Sequence, residues 1–294
     1  MTRRILKNRG VRICLMIIAA LVLTGIFAPL LAPHDPLEVQ VKLKYAAPSL
    51  SYPAGNDYLG RDVFSRLIYG IRPSLIWVLI SMFCINLIAL FFSVMAGYRR
   101  GRIDEVIMRV CDIMLSFPTE IMVLAIVGII GVGLRNILIV VILLGWPWYA
   151  RVYRSIFIKY STKNYVQFSQ AIGTRFSRIL FTELLPAALP EITVLAMGQV
   201  ASLILSISSY SFLGLGVQAP TPEWGAMLNQ AKESLALNPQ QMIAPAVTVV
   251  GVCIVFSLFA DVLRNALDVQ YVRTDWRRKR RKWMREHRKA SRTK

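Results

Sequence analysis

Tyr165–Pro190 reads YVQFSQAIGTRFSRILFTELLPAALP and lies between two long apolar runs. Tyr165, Phe168 and Ile172 stand at i, i+3 and i+7, so the spacing predicts a helix with one apolar face. Gly173 follows, the residue type best suited to a left-handed helix C-cap. Thr174 is placed to cap a second helix. In that second helix Phe176, Ile179, Leu180 and Leu184 recur at helical spacing, and Pro186 and Pro190 punctuate its end. Two short helices about a glycine, set between apolar runs, can serve as a docking surface for a partner. They can also be an ordinary connector lying on lipid headgroups. Spacing alone weighs toward the connector.

The flanking runs decide the class. The chain has 294 residues, 55% of them apolar, and a mean hydropathy of +0.52. That is too apolar for a typical soluble domain and points to an all-α membrane protein with several spans. The net charge of +19 would suit nucleic acid or an anionic membrane. The basic residues cluster between and outside the apolar runs, without zinc-finger spacing or aromatic-interleaved basic motifs, which argues for membrane lipid and against nucleic acid. Cys14, Cys84, Cys111 and Cys253 lie in or beside apolar runs with no CxxC pair, so they read as small hydrophobes and not as a disulfide framework or zinc site.

Six spans follow from the pattern. Residues 1–12 carry five basic side chains and form a cytoplasmic N-terminus. Residues 13–31 form an uncleaved first span, too long for a signal-peptide core. Residues 32–74 form a polar extracytoplasmic loop. From Asp62 this loop turns amphipathic, with Val63, Phe64, Leu67 and Ile68 on one face: a short interfacial helix, or a half-apolar surface loop. Residues 75–268 hold the remaining five spans, expected at Leu75–Ala96, Ile113–Val132, Ile137–Tyr149, Ile192–Phe212 and Ile243–Leu263. The cytoplasmic loop 151–190 interrupts them, and Gly214–Gln240 is the last external loop. Residues 269–294 are a basic tail whose Trp276 and Trp283 suit an interface, each basic residue near anionic headgroups contributing about 1 kcal/mol. With this arrangement 28 of the 35 basic residues fall on one side, and without the tail the ratio is still 15 to seven. The positive-inside rule puts both termini and the Tyr165–Pro190 loop in the cytoplasm.

No catalytic set is present. There is no G-x-x-x-x-G-K-[ST] and no G-x-S-x-G. His34 and His287 read as solvated, Glu120 and Glu191 as headgroup-level carboxylates, and Asp261 with Arg264 as an intrahelical pair. Asn86 and Gln199 are expected to bond between helices. Gly198, Ser202, Ser206 and Ser209 form a small, weakly polar stripe on span five, serving close packing or lining a pathway. An intramembrane enzyme would need a paired acid or metal constellation, which is not found. A scaffold or signalling protein would rest on the basic tail alone.

Several stretches together resemble the inner-membrane permease subunits of binding-protein-dependent ABC importers, in the branch serving dipeptides, oligopeptides and nickel. They are GNDYLGRDVFSRLIYGIRPSL, GYRRGRIDEVIMRVCDIMLSFP, WPWYARVYRS, SFLGLGVQAPTPEWGAML and FADVLRNALD, spread over about residues 11–268. The resemblance implies the type I importer permease fold with six transmembrane helices, a bacterial cytoplasmic-membrane location, and transport without enzymatic chemistry in this chain. It implies a second homologous permease subunit, two cytoplasmic ATPase subunits or domains that bind the ATP and Mg, and an extracytoplasmic substrate-binding protein. It makes loop 151–190 the ATPase-coupling segment, with Tyr165, Phe168, Ala171, Ile172, Gly173 and Thr174 as its contact residues. The family's Glu-Ala-Ala is here Gln167-Phe168-Ser169, an Asn common after Leu-Pro is Ala187, and Ser208-Ser209-Tyr210 stands where an acidic residue often precedes SFLGLG. Cargo of this branch is most often a short peptide, with nickel or a metal chelate as the alternative.

Overall fold

The computed structural model describes residues 8–99 and 101–267. The basic tail, His287 and most of residues 1–12 lie outside these residues. The described residues are helical apart from turns and one isolated antiparallel bridge, Asn56 to Asp62.

The helices are α1 (Arg9–Ile26), α2 (Val63–Ile71), α3 (Trp77–Arg99), α4 (Arg102–Leu115), α5 (Thr119–Ile130), α6 (Leu134–Ser161), α7 (Asn164–Ala171), α8 (Phe176–Ile179), α9 (Leu185–Phe212), α10 (Trp224–Lys232) and α11 (Gln240–Leu267). Two wide π-helical turns, Arg72–Ile76 and Leu180–Leu184, join α2 to α3 and α8 to α9. Five helical stretches are long and apolar enough to cross a membrane, and the bent pair α4–α5 makes a sixth if taken as one.

The expected third span, Ile113–Val132, is therefore not a straight helix. α4 and α5 meet at 78°. Pro118 disfavours helical geometry at Phe117, so α4 ends there and α5 starts afresh with Pro118 as its N-cap residue.

The centre of the core is the pair α3 and α6. Met82, Ile85 and Ala89 of α3 and Ala150, Tyr153 and Phe157 of α6 are buried. Tyr153 Oη donates to Asn86 Oδ1, so Asn86 does bond between helices. A Cβ on Gly97 would come within 2.9 Å of Phe157 Cβ, so the glycine sets how closely these helices approach at the α3 end. A second pair, α9 and α11, packs with Gly198 facing Ala260, where an added Cβ would sit 3.8 Å from the alanine methyl.

Helix α6 outruns its expected Ile137–Tyr149 span at both ends, reaching 28 residues. Its basic residues past Tyr149 had the look of a loop. Each instead meets an acid from a neighbouring helix: Arg151 with Asp112, Arg154 with Asp104, and Lys159 with Glu191 at 2.8 Å. Glu191 is thus a helix-to-helix partner. Pro186 and Pro190 likewise do not end a helix. Pro186 sits in the first turn of α9, where its missing N–H costs least, and Pro190 lies inside α9.

The helix expected from Asp62 forms, with the Asp62 carboxylate capping the N–H groups of Phe64 and Ser65. It does not lie free at an interface: Val63, Ile68, Ile71 and even Arg66 are buried against the rest of the chain, and it runs on through the first π turn into α3.

Candidate coupling loop and membrane cleft

The loop singled out by sequence is built around α7. Val166 is fully buried and anchors the helix. Tyr165, Phe168 and Ile172 are 47%, 66% and 65% exposed and form the apolar face directed away from the chain. Ala171 is exposed beside them. The C-terminus is a complete Schellman closure: Gly173 N–H donates to Gln170 O and Thr174 N–H to Ser169 O, both at 3.0 Å, with Gly173 at φ +76°. Thr174 thus contributes its backbone to the end of α7. It does not cap α8; Arg175 occupies that position, without a side-chain cap. Sequence reasoning passed over two side chains that fix this loop. Ser169 Oγ donates to Glu183 Oε1 at 2.6 Å, and Phe176 packs on Tyr98 at 4.3 Å between ring centroids. Their separation in sequence hid both.

The serine stripe divides. Gly198 faces α11, whereas Ser202 and Ser206 join Gln199, Glu120, Thr119, Trp148, Tyr149 and Tyr210 around an open cleft of about 290 Å³. Ser209 is exposed off this cleft, its hydroxyl donating to Leu205 O. Gln199, expected to bridge helices, lines the cleft, and so does Glu120. Asp261 and Arg264 form no ion pair with each other among the described residues. No group of three or more His, Cys, Asp or Glu side chains suited to a metal ion occurs among them either.

At the other end of the molecule, residues 32–62 and the α9–α11 loop are stitched together by buried polar groups. His34 Nδ1 lies 3.2 Å from Asp62 Oδ2 and the ring stacks on Tyr52, so this histidine is not simply solvated. Arg61 and Arg66 both donate to Gln230 Oε1 of α10 at 3.2 Å. The Glu223 carboxylate caps α10, accepting from Gly225 N and Ala226 N, and takes the Ser74 hydroxyl at 2.9 Å. Burial pushes the Glu223 carboxyl above its usual range, against the pull of these donors.

The profile of the binding-protein-dependent transport system inner membrane component family matches residues 89–269. The chain belongs to this family. Residues 1–48 also match the N-terminal TM domain of oligopeptide transport permease C. The metal-staphylopine import system permease protein of Staphylococcus aureus is 38% identical over 266 residues, covering 90% of this chain and 92% of that protein. The nickel transport system permease protein of Escherichia coli is 36% identical over 263 residues, covering 90% and 95%. The dipeptide transport system permease protein of Alkalihalophilus pseudofirmus is 35% identical over 269 residues, covering 90% and 88%. In fold, the permease resembles a chain of the MetNI methionine ABC transporter in an inward facing conformation, with a TM-score of 0.59 at 19% identity over 70% of this chain and 97% of that one. The protein is a permease subunit of an ABC importer with the type I importer fold.

Proposed function

We propose that this permease forms one half of a translocation pathway with a second homologous permease subunit, and that α7 seats in a cytoplasmic ATPase subunit. The observation that carries this reading is the α7 apolar face: Tyr165, Phe168 and the C-cap residue Ile172 stand exposed on a short helix set between α6 and the run of α8, the π turn and α9. Such a helix passes a partner's rigid-body motion to the helices it joins. ATP and Mg are bound by two such ATPase subunits or domains, and an extracytoplasmic binding protein delivers the cargo. The excess of basic residues on the α7 side supports an orientation with both termini in the cytoplasm of a bacterial cell.

The cleft beside α9 is the pathway wall in this reading, with Ser202 and Ser206 on it and Ser209 outside it. Its hydroxyl, amide and aromatic lining with one carboxylate, Glu120, suits a hydrated organic cargo. One carboxylate and no His or Cys favour a metal crossing inside a chelator over a bare ion. Of the two cargo classes, the metal chelate is supported by the 38% and 36% identical relatives, whose names specify metal-staphylopine and nickel. The short peptide is supported by the dipeptide permease at 35%.

The test is to purify the tagged chain from its own membranes and identify what accompanies it. A P-loop ATPase and a binding protein loaded with metal and chelator in equal amounts are expected. A peptide load would move the assignment to peptides, and a complex without an ATPase would overturn the reading.

A further inference from the structure

Helix α7 is joined to α8 through Gly173, whose left-handed backbone makes it the natural place for the chain to bend. An added Cβ there would meet nothing within 4 Å, so apart from the two backbone bonds of the Schellman closure no side chain packs on this glycine. If the backbone were the sole link, a push on α7 would be absorbed at this glycine. A side-chain bond bypasses it. Ser169 is the α7 residue whose hydroxyl donates to Glu183 Oε1, and Glu183 lies in the π turn Leu180–Leu184 that opens into α9. At 2.6 Å the bond has the length of a hydroxyl donating to a charged carboxylate, the stronger class of hydrogen bond. Val166, buried on the same side of α7, and Phe176, packed on Tyr98, close the unit. The strut thus ends within the π turn, directly before α9. Helix α9 carries Gln199, Ser202 and Ser206 of the cleft.

We propose that the Ser169–Glu183 bond is a strut that makes α7 and the start of α9 move together, so that Glu183 is the positioning residue through which displacement of the coupling helix reaches the cleft. This rests on the docking of an ATPase to α7.

The experiment uses the whole complex, reconstituted in liposomes with its ATPase subunits and with the binding protein carrying the load it is purified with. The readout is the ratio of binding-protein-stimulated to basal ATP hydrolysis, together with the amount of assembled complex. Ser169→Ala and Glu183→Ala are each expected to assemble normally, keep basal hydrolysis and lower the stimulation ratio about tenfold, the effect of one charge-assisted hydrogen bond. The double variant should be no worse than Glu183→Ala, because both remove the same bond. Glu183→Gln should fall between the native protein and Glu183→Ala, since its amide oxygen still accepts from Ser169 Oγ but without the charge. An unchanged ratio in Ser169→Ala and Glu183→Ala would overturn the strut. So would losses that simply follow the amount of complex, or a Glu183→Gln variant as defective as Glu183→Ala. Phe168→Asp run in parallel separates the two ideas. If it releases the ATPase while Glu183→Ala is silent, only the strut fails; if it leaves the ATPase bound, the docking reading fails and the strut with it.

Discussion

Glu223 is held by donors and not by a countercharge: two backbone N–H groups at the start of α10 and the Ser74 hydroxyl surround its carboxylate. Burial is the larger effect and raises its pKa above the ordinary 4.5. The sign of the linkage follows. The folded state holds the proton more tightly than the unfolded chain, so the stability due to protonation is complete below 4.5 and is lost as pH rises through the raised value. Glu223→Gln cannot titrate. Thermal melts of the purified complex on the acid side of neutrality should therefore fall less steeply with rising pH in the variant than in the native protein. Equal slopes would contradict the assignment of a raised pKa. At this scale the sequence was legible where chemistry is local. Gly173 is where a helix C-cap needs a left-handed residue, and the amphipathic stretch read from Asp62 is helix α2. It was not legible at Thr174, because a hydroxyl two residues before Phe176 is no cap when Arg175 takes the N-cap position. Glu183 and Ser169, fourteen positions apart, offer no pattern to find.

Among the elements, α10 is the clearest case of packing fixed by one residue. A Cβ on Gly225 would stand 2.2 Å from Ser208 O and 2.8 Å from Ser208 Cα, both backbone atoms of α9 that cannot turn aside. Gly225→Ala should therefore lift α10 from α9 at a cost of about 2–3 kcal/mol, as overpacking of a close contact does. Gly128→Ala, also within a helix and with nothing within 4 Å of the new methyl, should be neutral or slightly stabilising. Size-exclusion recovery of the folded complex after mild heating would distinguish them, and equal recovery would refute the close approach. The apolar runs located the spans because burial in lipid requires them. Their ends were harder. The basic end of α6 looked like loop because its acidic partners Asp104 and Asp112 sit on another helix. The prolines of α9 looked like stops because a wide π turn ahead of them is invisible in the sequence. The bend at Pro118 was written in the proline itself, but the apolar residues on either side of Ser116–Glu120 read together as one span.

Over the whole molecule, polar stitching and apolar helices lie at opposite ends of one design. At one end α2, α10 and the first π turn are tied together through Arg66, Gln230, Ser74 and Glu223. The α7 end leaves an apolar face open. The sequence alone offered two occupants for that face, lipid headgroups or a protein partner, and membership of the permease family favours the second. A photo-cross-linking residue placed at Phe168, in cells that make the whole transporter, tests this most directly. Phe168 is 66% exposed, and Leu50, fully exposed in the segment between α1 and α2, provides the control position. The account predicts an adduct between position 168 and a P-loop ATPase, and none between position 50 and that ATPase. Cross-linking of position 168 to lipid alone would contradict it.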